Sequence, residues 1–488
     1  MRITNGILIN NSLSNINYNK TAMDRYNTQI ATEKKITRPS EDPIVAIRAL
    51  RFRSTLNEIN QYLGRNIPDA RSWFELTEDA LDSCLGVLSD IYYYCDQAAN
   101  GTNELSNREA VVETLKKYKA QIFNDANADY SGRRIFTGLK TDSNMTFMED
   151  EPNTSYTITE PFKVEDVTKS NKIVNSVNAE NIASIAVADT PKFSSVNRLR
   201  LAYDNLDAGT VPTLNGTDAS GNPATLPTVT VKSVADTDCY EPGDGDVFFI
   251  AETGELLIGK DAMEDIRAAK DLSITYDKTG FVNGDLRPEH YFECTDKTDP
   301  DDEIHYTMTD QSINYYINFN QSLQVNTLGK DVFTHDMVRD VQDIIDAVDA
   351  VRQVENKIQL IENRLGQNAY ADSTSQANLN SMLEAAKKEL DYAEENMQKA
   401  FENGIDIFQA HQDTVNLAEA SIGSREIRLN LNEARLEDQK LNVEELKSTN
   451  EDVDLAETAI LYAAASQVYD ASLSSAAKVV KNSLLDFI

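Results

Sequence analysis

Tryptophan occurs once in the 488 residues, and histidine and cysteine four times each. Cations are also scarce: 46 Lys and Arg stand against 80 Asp and Glu, for a formal net charge of -34. Each shortage excludes a class of function. Binding to phosphate backbones or anionic lipid needs a basic face, so neither nucleic acid nor an anionic membrane surface is an expected partner. His290, His305, His335 and His411 stand apart, and none belongs to an H-E-x-x-H arrangement. G-x-x-x-x-G-K-[ST], G-x-G-x-x-G and G-x-S-x-G are all missing. Cys84, Cys95, Cys239 and Cys294 form no C-x-x-C pair; the first two sit in a helical pattern and read as small core hydrophobes. No catalytic residue, cofactor site or metal site is expected. Two acidic clusters, EPGDGD at 241–246 and DPDDE at 299–303, lack EF-hand spacing and read as solvated loops rather than calcium sites.

No continuous apolar run of about 18 residues occurs, so no membrane insertion is expected. Residues 459–480 come closest, but Tyr462, Ser466, Gln467, Tyr469, Asp470, Ser472, Ser474 and Ser475 interrupt them. The first residues lack the basic-then-apolar pattern of a secretory leader, so no cleaved signal of that type is expected.

The chain does have long helical periodicity at both ends. Ile9, Ile16, Met23 and Ile30 recur every seven residues with Leu13 between them, an apolar coiled-coil seam in which Lys20 and Asn27 take the alternate places. Asp42 and Pro43 mark a helix start: the Asp side chain caps, and Pro tolerates the first position. From Ala49 a three-four spacing runs through Phe52, Leu56, Ile59 and Leu63 to Ala98, with Asn66 and Thr77 as its polar members. Pro68 predicts a bend or break near Asn66. Capping boxes are read at Ser106–Glu109, Ser373–Gln376 and Ser448–Glu451, the last opening the final helix. In that helix Ala456, Ile460, Ala464, Val468 and Ala471 form one stripe, with Leu461, Leu473 and Val480 off it. Gly366 reads as a helix stop. Between 143 and 325 the composition turns to Thr, Val, Asp, Gly and Pro; VFFIAETGELLIG reads as a hairpin turning at Thr253-Gly254, and INYYINFNQSLQV as another strand pair. Arg38, Arg48, Arg51 and Arg53 form the one basic cluster, expected to pair with carboxylates of a neighbouring element or subunit.

Several stretches occur in a specific order: MRITNGILINNSLSNIN, IATEKKITRPSEDPIVAIRAL, NIPDARSWFELTEDAL and SGRRIFTG, then IGSREIRLN, LEDQ, STNEDVDLAE and SLLDFI. Over about the first 140 and the last 90 residues the chain resembles flagellin-like proteins of the bacterial flagellum, specifically the hook–filament junction type, hook-associated protein 3. It departs from the family pattern at Glu33, where Gly is usual, and at Pro68. The resemblance implies an α + β multidomain, flagellin-like fold. Long helices from both chain ends form a coiled coil and bundle, and a β-rich domain is inserted between them. The implied parts are 1–40 and 448–488 as a terminal coiled coil that is disordered in the monomer, 41–142 and 329–447 as a helical core, and 143–328 as a variable outer domain.

The resemblance also implies a non-enzymatic adaptor between a hook-side hook-associated protein and flagellin. It would be exported through the flagellar type III apparatus, assembled as a ring-like layer, secreted to the hook–filament junction, and bound before export by a chaperone on its C-terminal helix. The implied polymer contacts are Ile9, Leu13, Ile16, Met23 and Ile30 at one end. At the other they are Ile460, Leu461, Ala464, Val468, Ala471 and Val480. Two alternatives stay open: flagellin itself, which SGRRIFTG and SLLDFI disfavour, and an extracellular enzyme or binding protein acting through the central domain.

Overall fold

The structure, a computed structural model, describes residues 5–100, 105–180, 190–309 and 311–481; the side chains of 5, 100, 105–109 and 479–481 are not among those described. The chain divides into two compact units. One comprises 1–71, 315–323 and 427–488, the other 72–314 and 324–426. The architecture is α + β: long helices at both chain ends and a β-rich middle.

Four helices come first: α1 (Asn5–Thr32), α2 (Pro43–Gln61), α3 (Ile67–Asn100) and α4 (Leu105–Ala126). Asp42 is extended (φ -149°) and accepts from the N–H groups of Ile44 and Val45 at 2.9 and 3.1 Å, with Pro43 in the first helical turn. Pro68 has no N–H to give the carbonyl four residues back, and its ring crowds that carbonyl. The chain responds at Tyr62–Asn66 with one wide π turn, in which the Ile67 N–H reaches the Tyr62 carbonyl, and the helix resumes at once. Along the seam Ala49, Leu56, Ile59, Ala70, Trp73, Thr77, Ala80, Cys84, Val87 and Ile91 are buried. A second seven-residue column, Ile67, Phe74, Leu81, Leu88 and Cys95, is buried beside it. All four cysteines are free and buried; burial pushes the thiols of Cys84, Cys95 and Cys294 up to about 12.

SGRRIFTG begins with a tight hairpin, β1 (Asp129–Tyr130) and β2 (Arg133–Arg134), whose turn residues Ser131 and Gly132 both have positive φ. The middle then supplies β3 (Glu151–Pro161), β4 (Thr168–Val174), β5 (Lys192–Arg200), β6 (Thr213–Thr217), β7 (Val229–Lys232), β8 (Val247–Ile250) and β9 (Glu255–Ile258). After these come α5 (Lys260–Ala268), β10 (Lys270–Phe281), α6 (Pro288–Tyr291), β11 (Glu293–Asp296), β12 (Ile304–Tyr306), β13 (Asn314–Asn318), β14 (Gln321–Gln324) and α7 (Gly329–Val332). One five-stranded sheet has the order β12-β11-β3-β10-β6, the other β4-β5-β9-β8-β7, and β13 pairs with β14. The hairpin β8–β9 turns at Gly254 (φ 63°), where a Cβ would lie 1.8 Å from the Tyr203 carbonyl oxygen. Every residue of both its strands is buried, hence the unbroken apolar lettering. The helix α5 has no counterpart in the sequence reading. Its nine residues carry only Ala262, Met263 and Ile266 inward, too few to stand out as a period.

The loop 241–246 has a structural task. The Asp244 carbonyl accepts from the N–H groups of Asp261 and Ala262, capping α5, and Gly259 lets the two backbones meet. Among the described residues no group of His, Cys, Asp and Glu is placed to hold a metal ion, and no helix is long and apolar enough to cross a membrane.

Three long helices complete the chain: α8 (His335–Leu365), α9 (Ser373–Glu451) and α10 (Leu455–Lys481). Gly366 ends α8 at φ -81°, without the left-handed turn glycine often supplies. The three capping boxes are corrected. The helix α4 already includes Ser106, whose side chain lies outside those described. Asp372, not Ser373, caps α9 by accepting from the Ser375 N–H at 2.8 Å. Residues 448–451 are the last turn of α9, and Asp454 caps α10 through the N–H groups of Ala456 and Glu457. In both places an aspartate carboxylate, which also complements the positive end of the helix dipole, takes the cap from a serine.

In the second unit His290 is buried, its Nε2 3.0 Å from the Ser143 hydroxyl. Burial, then the Lys140 charge, pushes its pKa down to about 3. Between about pH 6.5 and 3 the unfolded chain therefore binds a proton that the folded chain refuses. Stability falls with acidification by roughly 1.4 kcal/mol per pH unit from this group. The variant His290→Gln should flatten the plot of unfolding free energy against pH between 6.5 and 4 by close to one proton, read from urea titrations. An unchanged slope would show that His290 is not the buried neutral group described.

Candidate assembly surface

Helices α1 and α10 pair within the first unit. They run antiparallel: Lys34 bridges to Asp452, and Asn19 Nδ2 donates to Ser472 Oγ at 2.6 Å. Ile9, Ile16, Met23 and Ile30 are half-buried in this pairing, and Leu13 is 53% exposed. The alternate places of the α1 seam belong to Ser12, Asn19 and Tyr26; Lys20 and Asn27 are exposed and outside it. A seven-residue repeat can be completed three or four residues on, and here the three-residue choice wins. Asn19 finds a polar partner in Ser472, whereas Lys20 would have to bury an unpaired ammonium.

The matching seam of α10 is Thr458, Tyr462, Ala465, Tyr469, Ser472 and Ala476, spaced four-three-four-three-four and buried or half-buried. The apolar stripe faces elsewhere. Ile460 is 71% exposed, Leu461 40% and Val468 50%, and Ala464 and Ala471 are exposed with them. Leu461 lies on this outward face, not off it, while the side chain of Val480 is outside those described. The helix thus gives its small and polar positions to its own chain and keeps its large aliphatic ones uncovered. Gln467 and Asp470 are exposed as well and interrupt no inner seam.

The base of the pair is held by charge and backbone together. Arg53 forks onto the buried Glu451 carboxylate at 3.0 and 2.7 Å, and Lys34 also lies 3.8 Å from it. The Lys35 N–H donates to the Glu451 carbonyl, and the Val453 N–H to the Glu33 carbonyl. Glu33 takes φ 58°, a left-handed conformation that costs an ordinary side chain about 1–2 kcal/mol and glycine almost nothing. Of the basic cluster, Arg53 has found the expected carboxylate. Arg48 and Arg51 remain exposed on α2 with no ion pair among the described residues.

Sequence reasoning missed Glu451, Tyr462, Tyr469 and the Asn19–Ser472 pair. The spacing at 458–476 was the available signal, hidden by its polar lettering. The described residues of this surface bring no nucleophile, base and cleft together. What it can do chemically is bury aliphatic area against another protein.

Residues 3–141 match the family model of the bacterial flagellin N-terminal helical region. The chain is 29% identical over 145 residues to the flagellar hook-associated protein 3 of Salmonella typhimurium, covering 29% of this chain and 45% of that protein. It is 27% identical over 145 residues to the protein of the same description from Escherichia coli, with the same shares covered. A flagellin of Clostridium tyrobutyricum is 23% identical over 141 residues, 29% of this chain and 37% of that protein. The chain thus matches less than half the length of these relatives. Among solved structures, a putative flagellar hook-associated protein from Vibrio parahaemolyticus is similar over 84% of this chain and all of its own, at 13% identity and a TM-score of 0.36.

Proposed function

We propose that this chain, which carries the bacterial flagellin N-terminal helical region over residues 3–141, is a non-enzymatic structural adaptor joining the hook-side junction protein to the flagellin filament. The observation that carries the reading is the α10 stripe of Ile460, Leu461, Ala464, Val468 and Ala471. It is turned away from α1 and is left uncovered by the described residues of its own chain. Further copies of the same terminal helices would cover it in a ring-like layer. The terminal segments 1–40 and 448–488 would form the coiled coil, 41–142 and 329–447 the helical core, and 143–328 the outer domain. Export through the type III apparatus, a chaperone on α10 before export, and residence at the hook–filament junction belong to the same reading. In the free monomer the terminal pair, exposed along its outer faces, would be the part most open to protease.

Flagellin is the second reading, favoured by the match to the Clostridium tyrobutyricum protein. A flagellin's two axial faces must be self-complementary, because a head-to-tail contact repeated on itself grows an open filament. A junction protein meets a different neighbour on each side. Gold-labelled antibody against this chain should therefore mark isolated flagella only at the hook–filament boundary, and the purified protein should stop at monomers or short oligomers. Labelling along whole filaments, or micrometre-long polymers of this chain alone, would replace the adaptor with flagellin.

A further inference from the structure

The first unit has a second pair of uncovered stripes, on helices that belong to neither seam of the terminal pair. On α9 the outward positions 427, 431, 434, 438, 441 and 445 are spaced four-three-four-three-four. They hold Ile427, Leu431, Ala434, Asp438, Leu441 and Glu445, all exposed, with Ile427, Leu431 and Leu441 each more than 60% so. On α2 the outward face carries Ile44 and Ile47, 64% and 54% exposed, followed by Arg48 and Arg51 one and four residues beyond Ile47. Both are heptad-spaced stripes with no partner helix among the described residues. One bears aliphatics and carboxylates; the other bears aliphatics and guanidiniums, in a chain whose net charge is -34.

We propose that these two stripes are the halves of one copy-to-copy contact, α2 of one molecule lying antiparallel on α9 of the next. The inference rests on the adaptor reading, since it needs assembled copies. Charge and apolar complementarity set the register: Ile47 on Leu441, Arg51 beside Asp438, and Arg48 beside Glu445. The contact joins two different faces, so it is heterologous and propagates around a layer rather than closing a dimer. Within one chain Val45 lies against Asn450 and Arg71 against Glu433, which places Ile47 near the level of residue 449. Meeting Leu441 therefore displaces the neighbouring copy by about two helical turns, roughly 10 Å, so successive copies climb. The charge pairs would be rim contacts that fix register and reject the wrong neighbour more than they add affinity.

Charge reversal separates this contact from the alternatives. Arg51→Glu or Asp438→Arg alone should cut incorporation into isolated flagella about tenfold or more, because each sets like charges opposite one another. The double variant in one chain should recover to within a few-fold, because residue 51 of each copy again meets an opposite charge on residue 438 of its neighbour. Both side chains are exposed and without an ion pair among the described residues, so the purified variants should match the parent in circular dichroism and urea midpoint. As a second readout, a mixture of Ile47→Cys and Leu441→Cys chains in assembled flagella should give disulfide dimers on mild oxidation. Neither variant should do so alone. Full incorporation of both single reversals, loss without rescue, or self-linking of either cysteine variant overturns the contact while leaving the adaptor reading intact. Absence of the unaltered protein from flagella overturns both.

Discussion

Chains carrying Leu461→Asp or Val468→Asp are expected to be missing from flagella, although the purified variants fold as the parent does. Leu461 and Val468 lie on the outward face of α10, 40% and 50% exposed, so an aspartate there is hydrated in the free chain and costs almost nothing. In a packed layer the same carboxylate would be buried without a cation, at a cost of several kcal/mol per site. Each kilocalorie counts once per copy, so incorporation should fall by orders of magnitude and motility with it. Tyr469→Asp is the informative control. Tyr469 is in the inner seam, so its change should loosen the α1–α10 pair in the free chain and raise protease sensitivity before any assembly. Motile cells with normal amounts of the Leu461 and Val468 variants in their flagella would mean that this face is not covered by the polymer.

The second large effect lies in the other unit and concerns folding alone. Glu255, 1% exposed, sits at the start of β9 among Lys172 at 2.9 Å, Arg198 at 2.6 Å and Arg200 at 3.3 Å. Both arginines also reach Asp343 on α8, each at 2.7 Å. Burial would push the Glu255 carboxyl up; Lys172, Arg198 and Arg200 together outweigh it and hold the group well below the ordinary carboxylate range. A carboxyl lowered on folding adds stability above its unfolded pKa and loses it only as pH falls through the folded value. The network therefore stays charged through moderate acid. Any loss of stability between pH 6.5 and 4 belongs to groups such as His290, not to Glu255. Glu255→Ala leaves three cations gathered around a hole, with Asp343 shared by both arginines and Asp346 3.6 Å from Arg200. Breaking a buried pair from one side costs about 3–5 kcal/mol, a third or more of the stability of an ordinary domain. The urea midpoint of the second unit should drop accordingly. Glu241→Ala, which removes the exposed partner of Lys192, should barely move it. A loss below about 1 kcal/mol for Glu255→Ala would mean that solvent reaches the network and screens it.

Much of the first unit could be read directly from the letters. The cap at Asp42 and Pro43, the three-four seam from Ala49 and the disturbance before Pro68 are local: each depends on residues within a turn or two of one another. The hairpins β8–β9 and β13–β14 were legible for the same reason. A glycine that must take positive φ, at Gly254, sits between two short apolar runs. The ends of helices were less legible, because a cap is a competition between neighbours. Asp372 and Asp454 each win over a serine or threonine that also fits the pattern.

By itself, the sequence determined that both chain ends are helical and that a β-rich region lies between them. Periodicity, turn chemistry and motif spacing are written residue by residue, so one chain read in order is enough. Only the tertiary structure decided which face of each helix is spent within the chain. It assigned Asn19 and Ser472, not Lys20, to the inner seam, left Ile460, Leu461 and Val468 outside, and drew Glu451 under Arg53. It also gathered Lys172, Arg198, Arg200 and Asp343, from three separate segments, around Glu255. A helix with two possible seams fixes the period of its contacts but not their direction. That direction is set by the partner that can satisfy its polar groups, and the partner of α1 lies more than 400 residues away along the chain.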